Sequence, residues 1–275
     1  KAIEYLREMK KNNKPFFLYV PFNAPHYPMH APQKYMDRFP NLPWDRQVMA
    51  AMISAVDDSI GRIQDEMERL GFADNTLSFF TSDNGPSRES RNWLDGNQDP
   101  YYGGTAGKLK GHKFSLFDGG IKEPAIMHWP GKITPGQVSS EICASMDVFP
   151  TILDAAGIDI DINIDGISLI PHVVNNEKNP LRPIFWEMEN QKAVRKGKWK
   201  LVLDGQLVEN ESPVAKIHLS DLESDPGEKI NLADSEPEIR DELHNLLADW
   251  ISGIEDEWKR NFSDLDYEYV AHGMV

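Results

Sequence analysis

Apolar positions along this chain recur in two rhythms. From Asp45 to Leu70, the residues Val48, Met52, Ala55, Val56, Ile60, Ile63, Met67 and Leu70 fall at three- and four-residue steps, and Gly71 supplies a stop. That spacing predicts an amphipathic crossover helix. Ile3, Leu6 and Met9 repeat the spacing and predict a first helix over residues 1–13, with no cap before it, so the chain is expected to start inside a domain. Two continuous apolar runs, Pro15-Phe-Phe-Leu-Tyr-Val-Pro-Phe22 and residues 76–82, fit buried strands of a parallel sheet. With the helix between them they predict a strand-helix-strand unit whose crossover is right-handed. Residues 123–130 predict another strand and residues 147–156 a short helix stopped by Gly157.

The second rhythm is alternation, and it dominates the last third. Polar, irregular residues 175–180 mark a boundary, giving domains at 1–178 and 179–275. Beyond it, residues 183–188, 192–203 (with the alternation Lys198-Trp-Lys-Leu-Val) and 216–222 predict strands on short loops, which pair most economically antiparallel. Ser235 and Glu238 form a capping box. Ile239, Leu243, Leu246, Leu247, Trp250, Ile251 and Ile254 then make one apolar helix face expected to cover the small sheet. Residues 255–275, acidic and aromatic, leave a packed and a loose tail equally open. The expected fold is mixed α/β: a mostly parallel sheet flanked by helices, followed by a small antiparallel sheet with one helix.

Both apolar runs end in chemistry. Residues 76–82 lead into Asp83, Asn84 and Gly85, and ligand sites of open α/β sheets lie at that strand end. A carboxylate beside a side-chain carbonyl suits Ca²⁺ or Mg²⁺, although an Asx turn closed by Gly85 explains the same residues. After Phe22 the prolines of Asn23-Ala-Pro-His26-Tyr-Pro-Met-His-Ala-Pro32 impose an ordered loop that holds His26 and His30. Asp57 and Asp58 could suggest a metal pair, but neighbouring helical positions point about 100° apart, so the structural reading is preferred. Residues 88–107 form a long polar loop with Trp93, Tyr101 and Tyr102, read as a wall of a substrate pocket. Residues 108–120 set Lys108, Lys110, His112 and Lys113 beside glycines. These are donors suited to a tetrahedral oxyanion, though a solvated basic turn fits equally.

Composition narrows the partners. The 275 residues are 40% hydrophobic and carry a net charge of −15, which suits a globular protein and argues against nucleic acid or anionic membranes as partners. An anionic small substrate stays open if cations and a metal receive it locally. No apolar stretch approaches the roughly 18 residues of a membrane span. One cysteine, Cys143, excludes an intrachain disulfide and reads as a small buried hydrophobe.

Several motifs in order carry a resemblance. Pro15-Phe-Phe-Leu-Tyr-Val with Pro25-His26-Tyr-Pro28, Thr81-Ser-Asp83-Asn84-Gly-Pro86, and Gly111-His-Lys113 running through Gly119-Gly-Ile-Lys-Glu-Pro-Ala125 to Trp129-Pro-Gly131 come first. Met146-Asp-Val-Phe-Pro-Thr-Ile-Leu153 and Leu219-Ser-Asp-Leu-Glu-Ser-Asp-Pro-Gly-Glu228 with Asn231-Leu-Ala233 follow. Together they resemble the sulfatase family, arylsulfatase-like members of the alkaline phosphatase superfamily. The resemblance implies an alkaline phosphatase-like fold, truncated here, and hydrolysis of sulfate esters of a small molecule or carbohydrate. It implies Asp83 and Asn84 as the second pair of ligands to a divalent cation, calcium with magnesium as the second candidate. It implies Lys113 as the lysine that grips sulfate oxygens, with Lys110 and Lys108 as the competing positions, and His26 as the histidine beside the scissile ester oxygen. His112 has no family role and is read as filling space beside Lys113, with substrate contact as the second reading.

The chain also departs from the pattern. The nucleophile of the family is a formylglycine made from Cys or Ser in Cys/Ser-x-Pro-Ser-Arg, upstream together with an aspartate pair for the metal. Cys143 lacks that context, and in Asn84-Gly-Pro86-Ser87-Arg88 an asparagine occupies the cysteine position. The chain is therefore expected to be the C-terminal part of a sulfatase, inactive by itself, with formylglycine in the part before residue 1. Family resemblance points to a periplasmic, secreted or lysosomal setting, with the cytoplasm also open. The alternatives are a phosphodiesterase or phosphonate hydrolase of the same superfamily, and a non-catalytic, metal-stabilised binding module.

Overall fold

The structure is a computed structural model that describes residues 1–88, 104–159, 161–209 and 211–262. The chain forms two compact units, Lys1–Gly107 with Gly119–Pro180, and Lys108–Asp118 with Leu181–Val275.

In the first unit, α1 (Ala2–Asn12) ends where Asn13 turns left-handed at φ 48°, and α2 is a single turn, Gln33–Met36. The 27-residue α3 (Trp44–Leu70) is the predicted helix, stopped by Gly71 at φ 71°, whose N–H reaches the carbonyls of Met67 and Glu68. Val48 and Met52 of α3 bury against Met29. Arg7 of α1 donates to Glu66 of α3 at 2.7 Å, and Arg69 adds a second pair at 2.6 Å. These guanidinium bonds hold the Glu66 carboxyl down at about 2. Asp58 pairs with Arg38 at 2.8 Å, in accord with a structural role for that aspartate.

The sheet of this unit differs from expectation. Strand β1 (Ser78–Thr81) pairs antiparallel with β2 (Ala125–His128), with Phe79 opposite Met127, and the two make a two-stranded ribbon. Among the described residues there is no parallel ladder, so the expected mostly parallel sheet and strand-helix-strand unit are not seen there. The run Pro15 to Phe22 is not a strand, and Phe17 and Tyr19 are 67% and 76% exposed. Phe80 of β1 and Ile126 of β2 are open as well. Hydrophobicity signals a buried strand, but a strand exists only where neighbours take its N–H and C=O groups. Between the two strands lies the short α4 (Asp118–Ile121). After β2 come α5 (Val148–Ala155), closed by Gly157 at φ 69°, and α6 (Ile170–Asn175).

The second unit is a four-stranded antiparallel meander in the order β3 (Pro183–Met188), β4 (Gln191–Lys196), β5 (Trp199–Gly205) and β6 (Ala215–Asp221). The apolar stretch over residues 192–203 splits into β4 and β5 at Gly197, which sits at φ 59° in the tight turn. One sheet face aligns Phe185, Val194, Leu201 and Leu219 across the strands. Leu243 and Leu247 of α7 (Pro237–Phe262) pack against that face, and Phe185 stacks on Trp250 at 5.0 Å. The expected capping box is not used: α7 begins at Pro237, and the Ser235 hydroxyl donates to the Leu232 carbonyl at 3.2 Å.

The opposite face carries Ala193, Val202, His218, Lys200 and Ser220, all buried. What covers it is residues 108–118. Phe117 lies edge-on to His218 at 5.2 Å, and a Cβ at Gly205 would come within 2.8 Å of the Phe117 ring. Both faces of this sheet are thus dry, one under a helix and one under a loop.

Candidate functional site

Strand β1 delivers Asp83 and Asn84 into a tight turn. Asp83 Oδ1 accepts from the Asn84 N–H at 3.0 Å, and Asn84 Nδ2 donates to the Gly85 carbonyl at 2.8 Å. Gly85 N–H bonds the Gly120 carbonyl at 2.9 Å, and a Cβ on Gly85 would sit 1.9 Å from the Gly119 oxygen. Only glycine permits that approach. The Asx turn closed by Gly85 does not form, because the Gly85 N–H goes to Gly120 and the Asp83 carboxylate bonds only the adjacent N–H. The local bond of Asn84 uses its amide nitrogen, and the side-chain oxygen is the atom a hard cation takes.

Sequence reasoning missed a third oxygen donor, Glu123. Its Oε1 is buried and has no hydrogen-bond partner among the described residues. Burial, helped by the negative charge of Asp83, pushes the Glu123 carboxyl up to about 7. A dry carboxylate oxygen near a second carboxylate is an arrangement that a divalent cation relieves, so the donor chemistry fits calcium or magnesium. The fit is partial. Calcium takes six to eight oxygens, and among the described residues no cluster of three or more His, Cys, Asp or Glu is arranged to hold a metal. Glu123 stood inside a stretch that reads simply as the start of a strand, and nothing in its spacing signals the turn opposite.

His26 is exposed in its proline-rich loop. Its Nδ1 lies 2.9 Å from the Tyr27 carbonyl, and its backbone N–H bonds the Asn23 carbonyl at 2.9 Å. A carbonyl can only accept, so Nδ1 carries a proton. A proton given to a leaving oxygen would have to come from Nε2. His30 is exposed in the same loop.

Lys113 belongs to the second unit. Its Nζ stands 5.3 Å from the centroid of the Phe114 ring, and Phe114 is held at φ 71°. Lys110 is engaged elsewhere: its Nζ donates to the Glu228 carbonyl at 3.0 Å and lies over the Phe117 ring at 4.3 Å. Burial lowers the Lys110 pKa. Lys108 is exposed at the start of the segment. His112 sits beside Lys113, half-buried, with its N–H on the Leu207 carbonyl at 3.1 Å.

Beneath this segment lies a charge cluster that sequence reasoning also missed. Lys200 Nζ is 2.6 Å from Asp118 Oδ1 and 3.2 Å from Glu228 Oε1, and a Glu228 oxygen accepts the Asp118 N–H at 2.6 Å. Burial raises the Glu228 pKa against the pull of Lys200.

Other expectations resolve differently. Cys143 is exposed, not buried. Trp93, Tyr101 and Tyr102, expected to wall a pocket, lie outside the described residues. Among the described residues no helix is long and apolar enough to cross a membrane.

Comparison with known proteins adds a separate line. A family model described as Sulfatase matches residues 1–158, and one described as N-sulphoglucosamine sulphohydrolase, C-terminal, matches residues 111–252. Arylsulfatase A of Bos taurus is 30% identical over 262 residues, covering 88% of this chain and 49% of that protein. N-acetylgalactosamine-6-sulfatase of Mus musculus is 35% identical over 202 residues, covering 72% and 36%. The crystal structure of Ps i-CgsB matches with a TM-score of 0.74 at 26% identity, over 90% of this chain and 52% of that one. The same protein in complex with k-i-k-neocarrahexaose gives 0.71 at 25% identity, over the same shares of the two chains. The chain spans half or less of the length of the curated relatives named here.

Proposed function

This chain belongs to the sulfatase family, and we propose that the protein containing it hydrolyses sulfate esters, with Lys113, His26, Asp83 and Asn84 in its active site. The observation that carries this reading is the oxygen-rich turn at Asp83 and Asn84, pinned to Gly120 and standing near a buried oxygen of Glu123 that has no hydrogen-bond partner among the described residues. Asp83 and Asn84 would hold calcium or magnesium, which supplies charge stabilisation to the sulfuryl oxygens when bound. Lys113 places an ammonium against the same oxygens. Its three donors suit a tetrahedral anion. His26 donates from Nε2 to the departing alkoxide or phenoxide, so that the leaving oxygen departs neutral.

The nucleophile, a formylglycine, and the first pair of metal ligands are expected in sequence outside residues 1–275. A sulfated carbohydrate is the substrate class favoured by the relative named for N-acetylgalactosamine-6-sulfate and by the neighbour bound to k-i-k-neocarrahexaose. The test is turnover of a chromogenic aryl sulfate by the whole protein, against the matching phosphate monoester and phosphonate. Preference for the sulfate, loss on chelation and recovery with Ca²⁺ are expected. Preference for the phosphonate would overturn the reading in favour of a phosphonate hydrolase, and no turnover of any of the three would favour a binding module. Residues 1–275 alone should turn nothing over.

A further inference from the structure

We propose that Gln191, on the C-terminal sheet, is a positioning residue for Lys113, acting by holding the left-handed backbone of Phe114. The proposal rests on the reading of Lys113 as the lysine that grips sulfate.

The backbone immediately after Lys113 is unusual. Phe114 sits at φ 71°, where the Cβ of an L-residue crowds its own backbone, and a bulky aromatic rarely stays there unless its surroundings hold it. Gln191, the first residue of β4, is 1% exposed and provides that hold. Its Nε2 donates to the Phe114 carbonyl at 2.7 Å, while its Oε1 accepts from the Leu116 N–H at 3.3 Å and the Gln206 N–H at 2.9 Å. One buried amide therefore ties two residues that follow Lys113 to the connection between β5 and β6.

Neighbouring bonds leave the loop little freedom to compensate. On the other side of Lys113, the His112 N–H is fixed to Leu207 in that same connection. Ser115 Oγ donates to the Gln206 carbonyl at 2.6 Å and accepts from the Phe117 N–H at 3.2 Å. Gly111, at φ 84°, lies so close to Ser115 that a Cβ would meet its Oγ at 2.2 Å. The backbone is thus bonded to the sheet unit both before and after Lys113, and the bond from Gln191 is the one made by the strained residue. Without Nε2, the Phe114 carbonyl loses its buried donor, and the left-handed residue is held only by the turn bond from the Ser115 N–H to the His112 carbonyl at 2.9 Å and by the flanking bonds to the sheet connection. The residue then relaxes toward the right-handed region, and the Lys113 side chain is aimed elsewhere.

The experiment is a double-mutant cycle in the whole protein, read by kcat and KM on an aryl sulfate and by calorimetric affinity for inorganic sulfate. Gln191→Met removes all three bonds without adding a charge, while Gln191→Glu keeps the acceptor for Leu116 and Gln206 and sets a buried carboxyl in place of the donor to Phe114, so its loss is read above pH 7, where the carboxyl is ionised and cannot donate. Either variant that melts cooperatively is expected to lose about 10- to 100-fold in kcat/KM, the scale of a misplaced catalytic group. In the Lys113→Ala background the same change should cost nothing further, and sulfate affinity should follow the same non-additive pattern. Phe114→Gly, which enters the left-handed region without strain, should restore part of the loss. Equal losses in both backgrounds, or full activity in a folded Gln191 variant, would overturn the proposal. If neither Gln191 variant folds, Phe114→Gly decides by stability: failure to rescue folding overturns it. Full activity of Lys113→Ala is a different failure, which removes the reading of Lys113 itself.

Discussion

Lys200 Nζ lies 2.6 Å from Asp118 Oδ1 across 82 residues of sequence, with both side chains at 3% exposure or less. Their partner Glu228 is equally dry. Such a cluster is retained because breaking it is expensive, whatever its net worth when whole. Lys200→Met should leave two buried acids without a counter-charge and cost about 3–5 kcal/mol in urea unfolding. Replacing all three together, as Lys200→Met with Asp118→Asn and Glu228→Gln, should recover most of that loss. Recovery no better than the single change would mean that the three do not act as one unit.

His218 makes stability pH-dependent. Burial, reinforced by Lys110 and opposed by a backbone bond at Glu228 and the charge of Asp225, with Lys200 adding slightly to the depression, lowers its pKa to about 4. Unfolded histidine titrates near 6.5, so between about 6.5 and 4 the unfolded chain binds a proton that the folded chain refuses. The stability attached to this group is whole above pH 6.5 and should fall by about 3 kcal/mol as pH drops to 4. His218→Leu should flatten that part of the profile, measured as the wild-type minus variant difference in urea midpoints across the range. Parallel profiles would contradict the assignment.

Gly85→Ala tests the approach of the Asp83 turn to Gly119. With its Cβ set to meet backbone at 1.9 Å, the substitution should lower stability by about 1–3 kcal/mol and displace Asp83 and Asn84 together. Thermal melting would give the first effect and Ca²⁺ titration of the whole protein the second. Unchanged calcium affinity would separate the turn from the metal site.

Lys113 and Lys110 should divide their effects. Lys113→Ala in the whole protein should cut kcat by about 100- to 1,000-fold, the cost of removing one strong donor from a developing oxyanion, with little change in melting temperature. Lys110→Ala should instead lower stability, since it strips the bond to Glu228 and the stacking on Phe117. The reverse outcome would move the sulfate-gripping role to Lys110.

The parts of the fold that were legible in the sequence have local causes. The period of Val48, Met52, Met67 and Leu70 with Gly71 behind it describes α3 completely, and the Leu243 and Leu247 face of α7 packs as its spacing predicts. Lys200 was not legible. In Lys198-Trp-Lys it has the signature of a solvent-facing strand position, and only the segment from Lys108 to Asp118 makes that face dry. Cys143 has apolar neighbours in sequence and yet is exposed. Pro15 to Phe22 has strand composition without a ladder. Each miss concerns a neighbour distant in the chain.

The sequence by itself determined the helix periods, the stops at Gly71 and Gly157, the antiparallel run of the C-terminal strands, and the order of motifs that place Asp83, Asn84, His26 and Lys113 in one family. Those features follow from backbone geometry and residue chemistry within windows of a few residues. Only the tertiary structure decided that Glu123 stands near Asp83, that Lys110 is engaged by Glu228, and that Gln191 bonds the strained backbone beyond Lys113. Burial of a charge, an unpartnered oxygen and a held left-handed residue are properties of what surrounds a group, and its surroundings are chosen when distant segments pack.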